Sequence, residues 1–494
     1  LPRLKKPPLG YWVIVAVAKL TGQVDEFSSR LPAAIAAGLL CLLMGVWASR
    51  WYGRNAGIFA AFAQATTAFV ILYSRKSEVD MCLTLFNTAA MFLIVFQPAG
   101  QSWKAGFVRW LGIFALLGLS TMSKFHYGPA MVLVPCALFW AVQRRWGEFK
   151  HTINPVGWLL WLGPIGVWIG LVLARIPNAV EIWQLETIGR AVGELSSWRP
   201  IWFFLGPILW MTLPWTPLWL WEIPRSWRAA VREGNANERF VWCWLLAQLA
   251  IVSLQPDKHP QYILSALPLF ALWTGRRLSL LHQSGVWMKY RWSPPQAVVV
   301  SVGIAAISFA IAWVSNDAWP WMGQWGIAIG FVLGIGGIAA TWFNSIGRHD
   351  RSIALLGLTA CGLLICGLGG ITPGRDHWRA QAEFSLRVQT LAGEQPITGY
   401  KLDCSPLYYL GPELRNFEED DTLRKRLEQQ QTLLLVSQER NLEMLKQLGQ
   451  LEPVTTMTEA ERALAGNDFP LACWKLTRRK AFEIAEGIDA RVVE

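Results

Sequence analysis

The sequence predicts an all-α bundle that crosses a membrane many times, followed by a small α/β domain. Only 16% of the 494 residues are charged, against about 25% in an average soluble domain. Twelve stretches contain no Asp, Glu, Lys or Arg, and most reach the roughly 20 apolar residues that cross a bilayer. Residues 375–494 carry 16 Lys/Arg and 20 Asp/Glu, a net charge of −4, whereas residues 1–374 carry 29 and 14, a net of +15.

The changes in hydrophobicity and charge along the chain predict three regions. They are an outer juxtamembrane segment (1–30), a transmembrane domain (31–374) and a soluble domain (375–494). The apolar stretch 9–21 is too short to span, so we expect a helix at the membrane interface. Trp215 lies between two prolines and predicts a broken, packed helix. The twelve predicted spans are residues 31–49, 55–74, 81–103, 110–123, 125–143, 151–174, 200–221, 240–256, 259–275, 292–316, 318–347 and 352–374.

The distribution of cations in the loops predicts the orientation. If the loop Arg50–Arg54 is cytoplasmic, the loops on its side hold more Lys and Arg than the loops on the opposite side. The positive-inside rule then predicts a multi-pass protein of the plasma (inner) membrane with residues 1–30 and 375–494 outside the cytoplasm. Because Leu1 is not an initiator methionine, we expect a further upstream segment. No Lys/Arg-rich tract with interleaved aromatic residues indicates a nucleic-acid partner.

The last 120 residues change to an alternation of strands and helices that is typical of a small α/β domain. The expected elements are helix 378–392, strand 396–400, helix 420–431, strand 432–437 and helix 439–448. Cys404 and Cys473 could form a disulfide outside the cytoplasm or remain free thiols. No catalytic motif is evident in this region, and a cap over a membrane site is the favoured interpretation.

Charged residues gather on the predicted outer side, where the positive-inside rule expects few cations. Their presence calls for an anionic partner, and a phosphate fits because Lys and Arg both bind it. Lys124 or Lys258 alone could instead cap a helix or reach lipid headgroups. His126 and His259 are more typical of ordinary polar residues than of metal ligands, and no spacing matches a structural zinc site. The outer cations include Lys5, Lys6, Arg30, Arg75, Lys76, Lys124, Arg190, Arg199 and Lys258.

The outer motifs resemble a known set. Residues 6–12 read KPPLGYW and precede Gly22 and the tripeptide RLP at 30–32. This segment resembles the first outer loop of bacterial GT-C glycosyltransferases, among them those similar to the lipid A aminoarabinose transferase and to protein O-mannosyltransferases. Further matches follow in the same order: Asp80, Ser123-Lys124, Glu186 with Arg190, Arg199-Pro200-Ile201-Trp202, Pro214-Trp215, Lys258, Tyr262 and Pro268.

The resemblance implies a GT-C bundle, an outer C-terminal domain and transfer of a sugar from a polyprenyl-phosphate carrier, undecaprenyl phosphate in bacteria. The acceptor would be a lipid, glycan or protein at the outer face of the membrane, and lipid A modification is one such reaction. Both hexosyl and pentosyl transfer fit. A divalent metal is compatible, but no cofactor is firmly implied.

Site roles also follow from the resemblance. The phosphate and donor sugar would be bound by Lys6, Tyr11, Lys124, Arg190, Lys258 and Tyr262. Glu186 would bind the acceptor or support the structure, and Asp80 is the catalytic acidic candidate, as an acceptor-binding group or metal ligand. In the family the expected catalytic base lies upstream of the KPP motif, so Asp25-Glu26, which follows the motif, is not assigned that role.

Two other functional classes remain as alternatives. A lipid-linked-sugar transporter or flippase would also use many spans and outer cations, but it should place charges at mid-span and show an internal repeat. The predicted spans are almost free of charges, and the polar residues gather at one face. A catalytically inactive homologue that binds lipid phosphate is the other alternative.

Overall fold

Two compact units make up the protein, one comprising 1–300 with 335–361 and the other 301–334 with 362–494. The first is entirely helical in its described part, and the second carries a five-stranded sheet. The predicted domain boundary at residue 375 falls outside the described residues and stays a prediction. The computed structural model describes residues 6–96, 102–184, 199–255, 258–284, 320–366, 377–402, 404–411, 414–465 and 470–478.

The fold prediction is confirmed in its coarse form: the chain is mostly helical, with a small sheet near its C-terminus. Two 3₁₀ segments, Trp146–Thr152 and Pro260–Ala266, join helices. The helices that precede the sheet domain are α1 (Leu9–Thr21), α2 (Glu26–Tyr52), α3 (Arg54–Ala65), α4 (Ala68–Ser74), α5 (Asp80–Val95), α6 (Trp103–Lys124), α7 (Tyr127–Val142), α8 (Pro155–Arg175), α9 (Leu205–Met211), α10 (Thr216–Val231), α11 (Ala236–Leu254), α12 (Leu267–Ser284), α13 (Pro320–Ser345) and α14 (His349–Cys366).

Four of the described helices are long and apolar enough to cross a membrane: α2, α6, α8 and the Trp325–Phe343 part of α13. Helices α3 and α4 together make a fifth, bent by 58°. Helices α1, α5 and α7 are apolar but shorter. The count of twelve spans therefore stays a prediction, and the expected span 292–316 lies outside the described residues.

The predicted span 200–221 is not one helix. It divides into α9 and α10 around a turn that contains Trp215, and α10 continues to Val231. Trp215 is buried, and its indole Nε1 donates to Thr66 Oγ1 at 2.9 Å. The expectation of a broken, packed helix is thus confirmed. The hydrogen bond from the indole to Thr66 anchors the turn between α9 and α10.

Small residues let the first helices approach closely. A Cβ on Gly57 of α3 would lie 2.5 Å from the carbonyl oxygen of Gly45 on α2. A Cβ on Gly275 of α12 would lie 2.6 Å from the carbonyl oxygen of Ala56. Because neither glycine can be enlarged without moving backbone, α3 packs tightly between α2 and α12, as small residues permit in membrane bundles.

A buried ionic cluster centred on Glu238 joins four helices at the end of the bundle where α2 ends. Glu238 is fully buried, and its Oε1 accepts from Tyr52 Oη at 2.7 Å and from Arg276 NH1 at 2.5 Å. Its Oε2 accepts from Ser226 Oγ and, at 3.3 Å, from Trp273 Nε1. A buried carboxylate is stable only when it is paired and hydrogen-bonded in this way.

Glu222 adds a second carboxylate to this cluster. It is fully buried, with an oxygen 3.5 Å from Arg276 Nε and another 3.8 Å from Arg277 NH1. The Arg277 guanidinium also lies 3.6 Å from the ring centroid of Trp221. Two carboxylates therefore face two guanidinium groups, and the formal charges within the cluster balance.

We expect Glu238→Ala to lower the stability of the bundle by about 3–5 kcal/mol, because it leaves Arg276 buried with a weakened partner. Thermal unfolding of the protein in detergent measures the effect. Glu233→Ala, at an exposed glutamate before the same helix, is the matched control and should melt like the wild type. Equal midpoints for Glu238→Ala and Glu233→Ala would contradict the structural role of the cluster.

The C-terminal domain is an α/β sheet with strand order β2-β1-β3-β5-β4. Strands β1, β2 and β3 pair in parallel, and β5 pairs antiparallel with both β3 and β4. All five elements expected here are confirmed to within a few residues; the last begins with the 3₁₀ turn Glu439–Asn441. The domain consists of α15 (His377–Ala392), β1 (Ile397–Tyr400), α16 (Cys404–Leu410), β2 (Arg415–Phe417), α17 (Asp420–Gln430), β3 (Thr432–Gln438), α18 (Leu442–Leu448), β4 (Gly449–Thr456), α19 (Glu459–Ala465) and β5 (Leu471–Arg478).

Apolar side chains cover both faces of this sheet. Phe384 and Val388 of α15 pack on one face, where they meet Cys473. Leu423 and Leu427 of α17 pack on the other. Cys473 is a free thiol whose pKa is raised to about 12 by burial, and the side chain of Cys404 lies outside the described residues.

A two-pronged ion pair ties α15 to α19. Arg387 donates from NH1 and NH2 to the two oxygens of Glu461, at 2.9 and 2.6 Å, and the Thr458 backbone N–H adds a bond of 2.7 Å. Burial acts to raise the pKa of Glu461, but these hydrogen bonds outweigh it and the pKa is lowered. The ionised carboxylate therefore stabilises the folded domain.

Because this pKa is lowered by folding, the stabilisation is complete above the unfolded value of about 4.3 and is lost as the pH falls through the lower folded value. Glu461→Gln should therefore increase hydrogen exchange in β5 at about pH 6, and the difference from the wild type should shrink below about pH 4. Mass spectrometry, corrected for intrinsic exchange rates, measures it. Glu443→Gln, in an exposed pair with Lys446, is the control. If the difference in β5 exchange between Glu461→Gln and the wild type stays constant with pH, the ionised Glu461 carboxylate does not stabilise the domain.

Candidate functional site

A buried ion pair joins the start of α5 to the end of α6. Asp80 opens α5 and is 4% exposed. Lys124 closes α6, and its Nζ lies 2.5 Å from Asp80 Oδ1. The two helices pack as an antiparallel hairpin, so residues far apart in the sequence meet at one end. A carboxylate and an ammonium group in such surroundings are each costly alone and stable together.

Two tyrosine rings flank the Lys124 ammonium. Its Nζ lies 5.1 Å from the ring centroid of Tyr262 and 5.5 Å from that of Tyr127, within cation–π range. The Tyr127 hydroxyl donates to the Tyr262 carbonyl oxygen at 2.5 Å. The Lys124 side chain remains 16% exposed. The arrangement therefore holds a positive charge between aromatic faces on a side chain that is only partly buried.

The KPPLGYW segment lies beside this pair. Leu9 is buried against Met122 of α6, and a Cβ on Gly10 would lie 3.3 Å from the Cβ of Val79, the residue before Asp80. Lys6 is exposed and Tyr11 is 41% exposed. The structure thus places the backbone of the motif next to the ion pair and leaves both side chains accessible.

Lys258 has a different environment from Lys124. It is 3% exposed, and its Nζ donates to the carbonyl oxygens of Gln255 at 2.6 Å and Arg199 at 3.0 Å. Gln255 is the C-terminal cap of α11, so Lys258 caps a helix, as the sequence had left open. Its bond to Arg199 also ties down the end of the loop before α9. Direct binding of phosphate by Lys258 stays a prediction.

The structure brings together three of the residues expected from the sequence, Asp80, Lys124 and Tyr262. Glu186 and Arg190 lie outside the described residues, so their expected roles stay predictions. Tyr127 was missed, although it stands three residues after Lys124 at the start of a helix. Among the described residues, no group of three His, Cys, Asp or Glu side chains could hold a metal ion.

Comparisons with known proteins show which sequences this chain is similar to. The family described as dolichyl-phosphate-mannose-protein mannosyltransferase matches residues 5–170, which include Lys6, Asp80 and Lys124. An undecaprenyl phosphate-α-4-amino-4-deoxy-L-arabinose arabinosyl transferase of Pseudomonas fluorescens is 26% identical over 283 residues, 56% of this chain and 47% of the relative. The corresponding enzyme of Erwinia tasmaniensis is 26% identical over 405 residues, 79% of this chain and 66% of the relative.

A solved structure shares the fold of this chain. ArnT from Cupriavidus metallidurans, in a crystal structure bound to undecaprenyl phosphate, matches 96% of this chain and 88% of its own with a TM-score of 0.74 at 19% identity. The chain is similar to the GT-C aminoarabinose transferases. The resemblance seen in the sequence is confirmed, and the GT-C bundle is the fold. The chain spans about half the length of the Pseudomonas fluorescens relative and about two thirds of that from Erwinia tasmaniensis.

We expect Lys124→Met to destabilise the protein by about 3–5 kcal/mol, because it leaves Asp80 buried and uncompensated. The double variant Asp80→Asn/Lys124→Met removes both charges and should recover much of that loss. Unfolding midpoints in detergent, followed by tryptophan fluorescence, give the comparison. A Lys124→Met midpoint equal to that of the wild type would show that the pair contributes no stability.

Proposed function

We propose that the protein is a membrane glycosyltransferase that moves a sugar from a polyprenyl-phosphate carrier to an acceptor at the outer face of the plasma membrane. One observation carries the proposal: the Lys124 ammonium is paired with Asp80 between two tyrosine rings, and the Lys124 side chain is partly exposed. Such a group suits a lipid-linked phosphate. The similarity to transferases named for undecaprenyl phosphate sugars supports this donor class.

The reaction needs a group that accepts the acceptor's proton and a group that stabilises the leaving phosphate. An acceptor hydroxyl or amine attacks the anomeric carbon with inversion while a carboxylate takes its proton. The bond from that carbon to the phosphate oxygen breaks, and the electron pair leaves with the carrier phosphate. Cations placed where this charge develops stabilise the transition state, most strongly in a site that excludes water. Lys124 is the described cation best placed for that task.

Asp80 suits a supporting role better than that of proton acceptor. Its carboxylate already accepts a hydrogen bond from Lys124 at 2.5 Å, and a bound ammonium group competes with a substrate proton for the same oxygen. We therefore assign Asp80 to holding Lys124. The general base would come from the upstream acidic residue that the resemblance implies.

The other expected residues complete the proposed donor site. Lys6 and Tyr11 are exposed on the motif beside Asp80 and suit the phosphate and the sugar. Arg190 would add a second cation and Glu186 an acceptor contact. The Tyr262 ring would border the phosphate.

We place the Asp80–Lys124 end of the bundle outside the cytoplasm. The opposite end carries Arg228, Arg232, Arg276 and Arg277, which the positive-inside rule assigns to the cytoplasm. The C-terminal domain would then lie outside as well. An envelope lipid such as lipid A is the first acceptor to test, since the relatives are named for aminoarabinose transfer.

The test uses the full-length gene product in nanodiscs, with undecaprenyl phosphate-linked sugars that include 4-amino-4-deoxy-L-arabinose, and with lipid A as acceptor. Product formation is measured by mass spectrometry. Lys124→Met should lower the rate per folded molecule, with the folded fraction measured for each variant, about 10²-fold, as loss of one transition-state donor does. Lys6→Ala should lower it as well.

Lys104→Met is the matched control, because Lys104 is an exposed lysine at the other end of the same helix. Its rate should stay within about twofold of the wild type, as is usual for an exposed side chain remote from the site. No transfer from any donor would refute the proposal, and equal rates for the two methionine variants would remove Lys124 from the site. Binding of undecaprenyl phosphate without turnover would favour an inactive lipid-phosphate-binding homologue.

A further inference from the structure

A second polar layer lies deeper in the bundle, beneath the ion pair. Asn87 stands seven residues after Asp80 on α5, and Ser120 stands four residues before Lys124 on α6. Ser265 follows Tyr262 by three residues in the 3₁₀ segment Pro260–Ala266. Each spacing returns to the same face of its helix. The three elements that carry the candidate site therefore also carry this second layer.

Asn87 links the three elements through its side chain. Its Oδ1 accepts from Ser120 Oγ at 2.6 Å, and its Nδ2 donates to Ser265 Oγ at 3.5 Å. Asn87 and Ser120 are fully buried, and Ser265 is nearly so. An amide at this depth is costly without partners, so these bonds fix where α5 sits between the other two elements.

Helix α7 closes against the same layer. A Cβ on Gly128 would lie 2.4 Å from Ser120 Oγ and 2.5 Å from the Ser120 carbonyl oxygen. Only glycine allows this approach. The preceding residue, Tyr127, donates its hydroxyl to the Tyr262 carbonyl oxygen, so the contact at Ser120 also locates one of the rings beside Lys124.

We propose that Asn87 is a positioning residue for sugar transfer: it holds α5, α6 and the Pro260–Ala266 segment in the register that sets the Lys124 ammonium between Asp80 and Tyr262. The inference rests on the proposed function. A small displacement of that ammonium costs catalysis more than folding, because misplacement by about 1 Å can cost up to about 10²-fold in rate.

The variant that separates positioning from stability is Asn87→Leu. Leucine has a similar volume and suits a buried site, and Ser120 can bond back to the carbonyl four residues earlier in its own helix. A buried hydroxyl that finds a new partner in this way avoids the cost of an unsatisfied polar group. We expect the unfolding midpoint to stay within error of the wild type while kcat falls about tenfold. KM for the sugar-loaded donor should change by less than about threefold, because the donor phosphate carries less charge than the leaving group.

Two further variants complete the design. Ser120→Ala should lower kcat by a similar factor, and Asn87→Leu/Ser120→Ala should be no slower than the single variants, because one bond joins the two residues. Thr88→Val is the matched control: Thr88 is a fully buried neighbour on α5 whose hydroxyl has no hydrogen-bond partner in the described part of the chain. Its kcat should equal that of the wild type.

The released carrier provides an independent readout. Undecaprenyl phosphate has the full charge of the leaving group, so Asn87→Leu should raise its Kd about tenfold if Lys124 is misplaced, whereas Thr88→Val should not. A wild-type protein that transfers no sugar but binds the carrier would refute the proposed function alone, and the Kd comparison would still decide the role of Asn87.

The inference is overturned if Asn87→Leu keeps both the wild-type kcat and the wild-type Kd. It is also overturned if its loss of activity follows a matching fall in unfolding midpoint, or if Thr88→Val loses as much. Failure of the wild type to bind undecaprenyl phosphate would overturn this inference and the proposed function together.

Discussion

The ion pair between Asp80 and Lys124 is the interaction on which the candidate site depends. Each charge is expensive to bury alone, and the helices that carry them, α5 and α6, meet at this end of their hairpin. The pair holds the ammonium between the rings of Tyr127 and Tyr262 rather than letting the flexible lysine chain extend into solvent. The position of the cation and the stability of the hairpin thus rest on the same bond.

The cluster around Glu238 shows what a purely structural solution looks like in the same bundle. Its carboxylate accepts from Tyr52, Ser226, Trp273 and Arg276 and is fully buried. Its charges are matched within the cluster. Arg276 and Lys124 keep similar fractions of their side chains exposed, 17% and 16%, so exposure alone does not separate the two cations. The two cations differ in their partners: Arg276 lies within 4 Å of two carboxylates, whereas Lys124 pairs, among the described residues, with Asp80 and lies between two tyrosine rings.

Sequence patterns predicted which helices and strands form better than they predicted where these elements end or which side chains contact each other. Charge-free stretches located helices, and the prolines around Trp215 predicted a break, but α5 stops at Val95 although no charge follows until Lys104. Pro98 could have indicated that stop, since proline disfavours helix in the residue before it. Asp80 and Lys124 were found as charges beside spans, but their contact depends on tertiary packing. Tyr127 and Asn87 were missed because they are uncharged and lie outside the motifs that carry the resemblance, although a buried amide is costly too.

Lys124 and Lys258 show why residue type alone could not assign roles at the site. Both follow an apolar stretch in a tight turn, and either could bind phosphate or cap a helix. The Lys258 ammonium donates hydrogen bonds to two backbone carbonyl oxygens. These bonds hold it at the C-terminal end of α11 and at Arg199. Its charge still adds to the local potential, because Coulomb attraction needs no contact. Stabilising a leaving oxygen also needs a donor aimed at it, and that requirement favours Lys124, whose ammonium is held by a carboxylate side chain and whose own side chain is partly exposed.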